Sequence, residues 1–175
     1  MSFLAEQSGA RISTEDLTVR KFRVISSKPF DDVLKDLTAT IGRPEMSGFL
    51  KAAGAARTRG ELEGAVQRAI GASGLMEFLR LDAGDAVRIE GGPEGSRIIR
   101  LLVGNPLIMS QMAKHVPDAA AYAPVTILLV EGSDGVRLSY DTMASLLLAY
   151  GSQEALKVAE DLDSKVEGLM TAAAS

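Results

Sequence analysis

Apolar residues recur every three or four positions in several parts of the chain, and this spacing predicts helices. The segment 31–42, DDVLKDLTATIG, carries one such stripe, and Gly42 is placed to end the helix. A second helix is predicted to begin at Thr58, because Glu61 completes a capping box with it, and to end at Gly71. Both helices are therefore expected to lay one apolar face on a core.

The C-terminal part of the chain is predicted to be mainly helical. Residues 143–150, MASLLLAY, are apolar, and a long helix is expected after Ser152, whose hydroxyl can cap its first turn. The apolar stripe of this helix comprises Ala155, Val158, Ala159, Leu162, Val166, Leu169 and Met170. Its charged residues are expected to face water: Glu160, Asp161, Asp163, Lys165 and Glu167. The alanine-rich tail that follows is expected to fray.

Strand signals occur near the start and in the middle of the chain. The segment 17–26, LTVRKFRVIS, is rich in β-branched residues, but its alternation slips near Lys21, which predicts a bulged strand or one buried on both faces. Segments 74–82 and 97–103 predict two more strands. Residues 125–141, VTILLVEGSDGVRLSYD, predict a β-hairpin, because a continuous apolar run and an alternating one flank the turn GSDG.

The corner Gly104-Asn105-Pro106 joins a predicted strand to a predicted helix. Asn is favoured as the N-cap of a helix and Pro is favoured directly after it, so a structural corner explains these residues. The alternative is a helix N-terminus that faces a cleft and binds an anion or a carboxylate. The glycine-rich phosphate-binding patterns do not occur here. Arg97 and Arg100, on the preceding strand, could pair with an anionic ligand, although surface ion pairs are the default.

Composition narrows the possible chemistry. The chain has 175 residues, of which 46% are hydrophobic and 24% charged, as in an ordinary globular protein. Its formal net charge of −4 argues against a protein that binds nucleic acid by neutralising phosphates. Cysteine is absent, which excludes disulfides and thiolate chemistry, and the single histidine excludes a site built from several imidazoles in one chain.

The pattern of elements predicts one domain. Residues 1–16 show no periodic pattern of apolar residues and are expected to form a poorly ordered lead-in. A single α+β domain is expected to follow over residues 17–172. This domain is predicted to be a curved, mainly antiparallel β-sheet packed by several helices, as a single layer pair. The chain begins without the pattern of a signal peptide, and its longest uncharged stretch is broken by prolines, so no membrane span and a cytoplasmic location are expected.

Few residues could carry chemistry, and each has a plain structural explanation. Asp82 and Asp85 offer two carboxylates at a strand end, where Asp also makes turns. Tyr140 and Asp141 could lie near a pocket, although a half-buried aromatic residue is common in strands. His115 lies near the end of a predicted helix, where the helix dipole favours a histidine without any reaction.

Four segments together resemble a known family: KPFDDVLKDLTATIGRP, GASGLMEFLRLDAG, RLLVGNPLIMSQMAKHVPDAAAYAPVTILLVE and VRLSYDTMASLL. Over about residues 18–171, the chain resembles the bacterial domain-of-unknown-function family 302. The resemblance implies one α+β domain with a curved antiparallel sheet, often associated as a dimer, and brings no established activity or catalytic residues. In relatives a His often follows the Asp of the Asp-x-Gly segment. Here Ala83 stands at that position, so a site built on that His would be missing.

The preferred hypothesis is a binding or sensing module for a small apolar or anionic molecule that acts as a homodimer, with no metal, cofactor, nucleic acid or membrane involved. The predicted ligand-binding residues are Asn105, Tyr122, Tyr140, Phe78 and Asp82. The dimer contact is predicted at residues 143–150, which contain more leucine than a one-sided surface helix needs.

Two alternatives remain at the level of the sequence. One is an enzyme of unknown reaction that uses carboxylates with Tyr140 or His115. The other is a structural or partner-binding protein without a small-molecule ligand.

Overall fold

The computed structural model describes residues 5–7, 10–92 and 97–175. Its helices and strands follow one another along the chain in this order: β1 (Ala5–Gln7), β2 (Ala10–Ile12), β3 (Lys21–Ser26), α1 (Phe30–Thr38), α2 (Met46–Ala55), α3 (Arg59–Gln67), β4 (Met76–Asp82), α4 (Gly84–Ile89), β5 (Ile98–Gly104), α5 (Pro106–Ala113), α6 (Ala119–Tyr122), β6 (Val125–Gly132), β7 (Gly135–Asp141), α7 (Met143–Leu147), a 3-10 helix (Leu148–Tyr150) and α8 (Gln153–Ala174). None of these described helices is long and apolar enough to cross a bilayer.

A five-stranded antiparallel sheet in the order β3-β7-β6-β5-β4 forms the centre of the fold. The predicted α+β class is therefore confirmed. So is the predicted hairpin, since β6 and β7 pair up to Gly132 opposite Gly135 and only two residues connect them. Strands β1 and β2 pair with each other in a separate two-stranded sheet.

The two faces of the sheet have different surroundings. Alternate residues of β5, β6 and β7, such as Leu101, Ile127 and Leu138, are fully buried in one core together with apolar residues of α1, α5, α7 and α8. The opposite side of the sheet, called the open face below, leaves Ile25 of β3 52% exposed and Leu79 of β4 46% exposed. The strands thus present one apolar face to the helices and a mixed face to solvent.

Gly42 does not end the first helix, so that prediction is wrong. Helix α1 ends at Thr38, and Gly42 instead forms a parallel bridge with Met76 of β4, with its N–H donating to the carbonyl of the preceding Leu75 at 2.9 Å. A Cβ on Gly42 would lie 2.1 Å from the carbonyl oxygen of Ala69. The residue is glycine because two backbone segments approach too closely for a side chain.

Strand β3 is shorter and more exposed than expected. It begins at Lys21, pairs with β7 without a register shift and lies at the edge of the sheet, so both alternatives, a bulge and burial on two faces, are wrong. The register shift lies in β4, between Glu77 and Leu79. An edge strand with a half-solvated surface explains why its apolar and charged residues are mixed.

Two expectations for α8 are also wrong. Asp163 is 8% exposed and so does not face water. The tail does not fray: α8 continues to Ala174, Ala173 is buried, and the hydroxyl of Ser26 donates to the carbonyl of Ala174 at 2.7 Å. Docking against β3 holds the last turn of the helix in place.

The three predicted N-caps are confirmed, whereas the predicted end of the second helix at Gly71 is wrong, because α3 ends at Gln67. The Thr58 hydroxyl accepts from the N–H of Glu61, whose carboxylate accepts in return from the N–H of Thr58. The Asn105 side chain caps α5, and the Ser152 hydroxyl caps α8. At the other end of the chain, residues 1–4, 8 and 9 of the predicted lead-in lie outside the described residues, and its disorder and the domain boundary at 17 stay predictions.

Candidate functional site

The five residues predicted to bind a ligand do not form one site. Phe78 and Asn105 lie together beside a cavity of about 100 Å³. Phe78 packs edge-on against Phe49, with 6.3 Å between the ring centroids. The side chain of Asn105 accepts from the N–H of Leu107 at 2.8 Å and donates to the carbonyl of Gly74 at 2.9 Å. Asn105 is therefore committed to the strand-to-helix corner, as the structural interpretation expected.

The remaining three lie in other places. Asp82 is exposed at the end of β4, where its carboxylate accepts from the N–H of Gly84 at 2.8 Å in a local turn. Tyr140 is buried between the sheet and the helices. Tyr122 lies at one end of the open face.

The acidic residues and the histidine considered for catalysis are also dispersed. Asp85 in α4 forms an ion pair with Arg88, and Asp141 at the end of β7 forms one with Lys21. His115 is exposed after α5. The described part of the chain contains no group of three or more His, Asp and Glu side chains that could hold a metal ion.

A buried hydrogen-bond cluster joins β7, α7 and α8. The carboxylate of Asp163 accepts from the Tyr140 hydroxyl at 2.6 Å, from the N–H of Met143 at 2.7 Å and from the N–H of Ala144 at 3.0 Å. Burial raises the pKa of Tyr140 well above its ordinary value, and the neighbouring Asp163 carboxylate raises it further. Tyr140 therefore stays protonated and acts as a hydrogen-bond donor that ties the sheet to the helices.

Sequence reasoning missed Asp163, although one signal was present. Asp163 follows Ala159 by four positions and precedes Val166 by three, so it lies within the buried stripe of α8. A carboxylate at a stripe position indicates a buried partner, because an unpaired buried charge is costly. Because Asp163 is charged, it was instead predicted to face water.

Part of the segment 143–150 packs against other residues of the same chain. Met143 and Leu147 are buried in the core, whereas Leu148 is 64% exposed. Packing inside the chain thus explains part of the leucine content that suggested a dimer contact, and the homodimer stays a prediction.

A groove of about 580 Å³ lies on the open face. Its floor is formed by residues of four neighbouring strands, among them Leu102 of β5, Leu128 of β6 and Ser139 of β7. The segment 121–124 and Leu146 of α7 enclose one end. This volume lies within the range of roughly 300–1,000 Å³ that is typical of small-molecule sites.

The register of the sheet fixes how the groove residues are arranged. Ser139 lies opposite Leu128, and Leu128 lies opposite Arg100, so these side chains form one row across β7, β6 and β5. Thr126 and Leu102, also opposite each other, belong to the next row towards the closed end. The groove therefore combines apolar floor residues with hydroxyl groups and one guanidinium.

Two paired groups border the groove. Lys21 and Asp141 form an ion pair at the β3 side. At the closed end, the hydroxyls of Tyr122 and Tyr150 are hydrogen-bonded at 3.1 Å, and this bond raises the pKa of Tyr150 above its ordinary value. The Tyr122 ring is thereby held beside the apolar part of the groove.

Comparisons with known proteins identify a family but no activity. The sequence profile of "Domain of unknown function DUF302" matches residues 55–173, more than half of the chain. A crystal structure of an uncharacterized conserved DUF302 protein from Bacillus stearothermophilus is similar in fold, with a TM-score of 0.60, 10% identity, and coverage of 89% of this chain and 98% of the other. No match was found among functionally curated proteins.

Proposed function

The chain belongs to the DUF302 family, and we propose that it binds a small amphipathic molecule in the groove of the open face. The supporting observation is the combination of volume and lining: about 580 Å³ bordered by leucines, a tyrosine ring, hydroxyl groups and a guanidinium. Sites for small molecules are typically apolar with a few polar groups that fix orientation.

Two leucines on the floor of the groove leave part of their apolar surface exposed to solvent. Leu102 and Leu128 are only partly buried, although both lie on central strands of the sheet. A ligand with an apolar part would remove this surface from water, which stabilises the complex by about 25 cal/mol per Å² of apolar area. This gain, together with hydrogen bonds to the polar lining, supports binding rather than catalysis as the function.

The test compares one floor position with a matched position outside the groove. Decanol, a neutral amphiphile, is titrated against the wild type, Leu128→Glu and Val130→Glu, and the midpoint of thermal unfolding is followed. Leu128 and Val130 lie on the same face of β6, but only Leu128 lines the groove. A ligand that binds the folded state raises the midpoint.

We expect decanol to stabilise the wild type and Val130→Glu, and to leave Leu128→Glu unchanged, because a carboxylate on the floor opposes an apolar ligand. Circular dichroism without ligand checks that both variants fold. Equal responses of the two variants, or no response of the wild type to decanol or to any other amphiphile, would contradict the proposal.

A further inference from the structure

Building on the proposed groove, we infer that its ligand is an anionic amphiphile, with a carboxylate or phosphate ester bound by Arg100, Thr126 and Ser139 and an apolar chain that lies over Leu102 and Leu128. The inference rests on the proposed function and adds the charge and orientation of the ligand. Three observations support it: the cationic charge of the open face, the lack of a carboxylate partner for Arg100 within the described residues, and the lack of a hydrogen-bond partner there for the Ser139 hydroxyl.

The open face is cationic on a chain that is negative overall. Its strand residues include four cationic side chains, Lys21, Arg23, Arg100 and Arg137, and one carboxylate, Asp141. The formal net charge of the whole chain is −4. Such a separation of charge attracts anions to one face and repels them from the rest of the surface.

Arg100 is the cation of the groove whose charge is not compensated. Within the described residues it has no carboxylate partner, and its Nη2 donates only a long hydrogen bond of 3.4 Å to the Thr126 hydroxyl. Arg97, three residues earlier, shows the contrast, because it pairs with Asp31 and stacks on the ring of Phe30 at 4.2 Å. A guanidinium has five N–H donors, so most of those on Arg100 are available to a ligand.

Ser139 provides a second polar group that lacks a partner. The residue is 9% exposed and lines the groove, yet its hydroxyl forms no hydrogen bond to any residue that the structure describes. The hydroxyl is not among the buried polar atoms that lack a partner, so it is accessible at the surface of the groove and can donate to a ligand there. An anionic oxygen at this point would accept from it.

The positions of these groups define where the charged end would lie. Ser139 and Arg100 stand on either side of Leu128, two strands apart, which corresponds to about 10 Å between their Cα atoms. The long Arg100 side chain can cover much of that distance, and Thr126 lies between the two strands. A headgroup there leaves the chain of the ligand to pass over Leu102 towards the closed end.

The experiment compares ligands that differ only in their headgroup. Decanoate, decyl phosphate and decyltrimethylammonium are titrated calorimetrically below their critical micelle concentrations, and decanol is titrated below its limit of solubility. The proteins are the wild type, Arg100→Gln, Ser139→Ala and the control Arg137→Gln. Arg137 lies on the same open face, opposite Ile25 and Val130 and outside the groove lining, so the control removes one positive charge from that face without changing the row that holds Arg100 and Ser139.

We expect one of the two anions to bind the wild type about tenfold more tightly than decanol, with the cation weakest, because a charge-assisted hydrogen bond contributes that factor or more. Arg100→Gln should lose this preference while its decanol affinity stays within about twofold, and Ser139→Ala should weaken the same anion. Arg137→Gln should resemble the wild type within about twofold.

The outcomes separate the inference from the proposed function. If decanol binds as tightly as both anions, or if Arg137→Gln weakens the anion as much as Arg100→Gln, the assigned headgroup site is wrong while the groove still binds amphiphiles. If none of the four compounds binds the wild type, the proposed function itself is refuted.

Discussion

Replacing Asp163 with asparagine perturbs the cluster that joins β7, α7 and α8. The carboxylate accepts three hydrogen bonds, from the Tyr140 hydroxyl and from the N–H groups of Met143 and Ala144, at 2.6 to 3.0 Å. Asparagine has the same shape, but it is neutral and offers one acceptor oxygen instead of two. At least one of the three buried donors would therefore lose its partner.

The expected cost is about 2–4 kcal/mol in the free energy of unfolding. Hydrogen bonds to a charged group contribute about 1.5–3 kcal/mol each, and an unsatisfied buried donor costs about 1–3 kcal/mol. A domain of ordinary stability has about 5–15 kcal/mol in total. The substitution should thus remove a large part of the stability and still leave a folded protein to measure.

Equilibrium urea unfolding of the wild type, Asp163→Asn, Tyr140→Phe and the double variant measures this cost. Asp161→Asn is the control, because Asp161 is exposed on the same helix, and it should change stability by less than about 0.5 kcal/mol. We expect a lower midpoint with an unchanged slope, and a coupling energy between positions 140 and 163 of about 1 kcal/mol or more. A loss below about 1 kcal/mol for Asp163→Asn, or additive single changes, would refute the assignment of the cluster as a tie between the layers.

Three further predictions concern backbone and capping positions, and urea unfolding measures each. Gly42→Ala should lower the free energy of unfolding by about 2 kcal/mol or more, because the new Cβ would lie 2.1 Å from the carbonyl oxygen of Ala69. The control Gly54→Ala, whose Cβ would have nothing within 4 Å, should be neutral or slightly stabilising. Equal effects of the two changes would contradict this reasoning. Asn105→Ala should cost about 1 kcal/mol through loss of the helix cap, and unchanged stability would argue against that role. Hydrogen bonds from backbone N–H groups lower the pKa of Glu61, so its contribution is complete above the ordinary glutamate pKa and is lost as the pH falls through the lowered value. Glu61→Gln should therefore be less stable than the wild type at pH 7, with a difference that narrows in acid, and a constant difference would contradict the assignment.

Local signals predicted local structure well. The capping box of Thr58 and Glu61 and the cap at Asn105 involve residues within three positions of one another, so their geometry depends on the backbone of a single turn. The turn of the β6–β7 hairpin is equally local. Neighbouring residues alone determine these features, and each was correctly predicted.

Features that depend on distant residues could not be predicted in the same way. The glycine at position 42 is required by a carbonyl of Ala69, and the burial of Asp163 is made possible by Tyr140. The groove is likewise assembled by the register of four strands, which brings Arg100 and Ser139 into one row. Five ligand-binding positions proposed from residue type alone therefore did not coincide, whereas the groove became visible once the pairing was known.

The strand order has a consequence for how the chain folds. Strands β4, β5 and β6 each pair with the next strand along the chain, but β3 joins β7 across a separation of 120 residues between Lys21 and Asp141. Closing so long a loop costs chain entropy, so the consecutive antiparallel strands can form first and β3 docks late. Changes that weaken the β3–β7 pairing should then accelerate unfolding much more than they slow refolding.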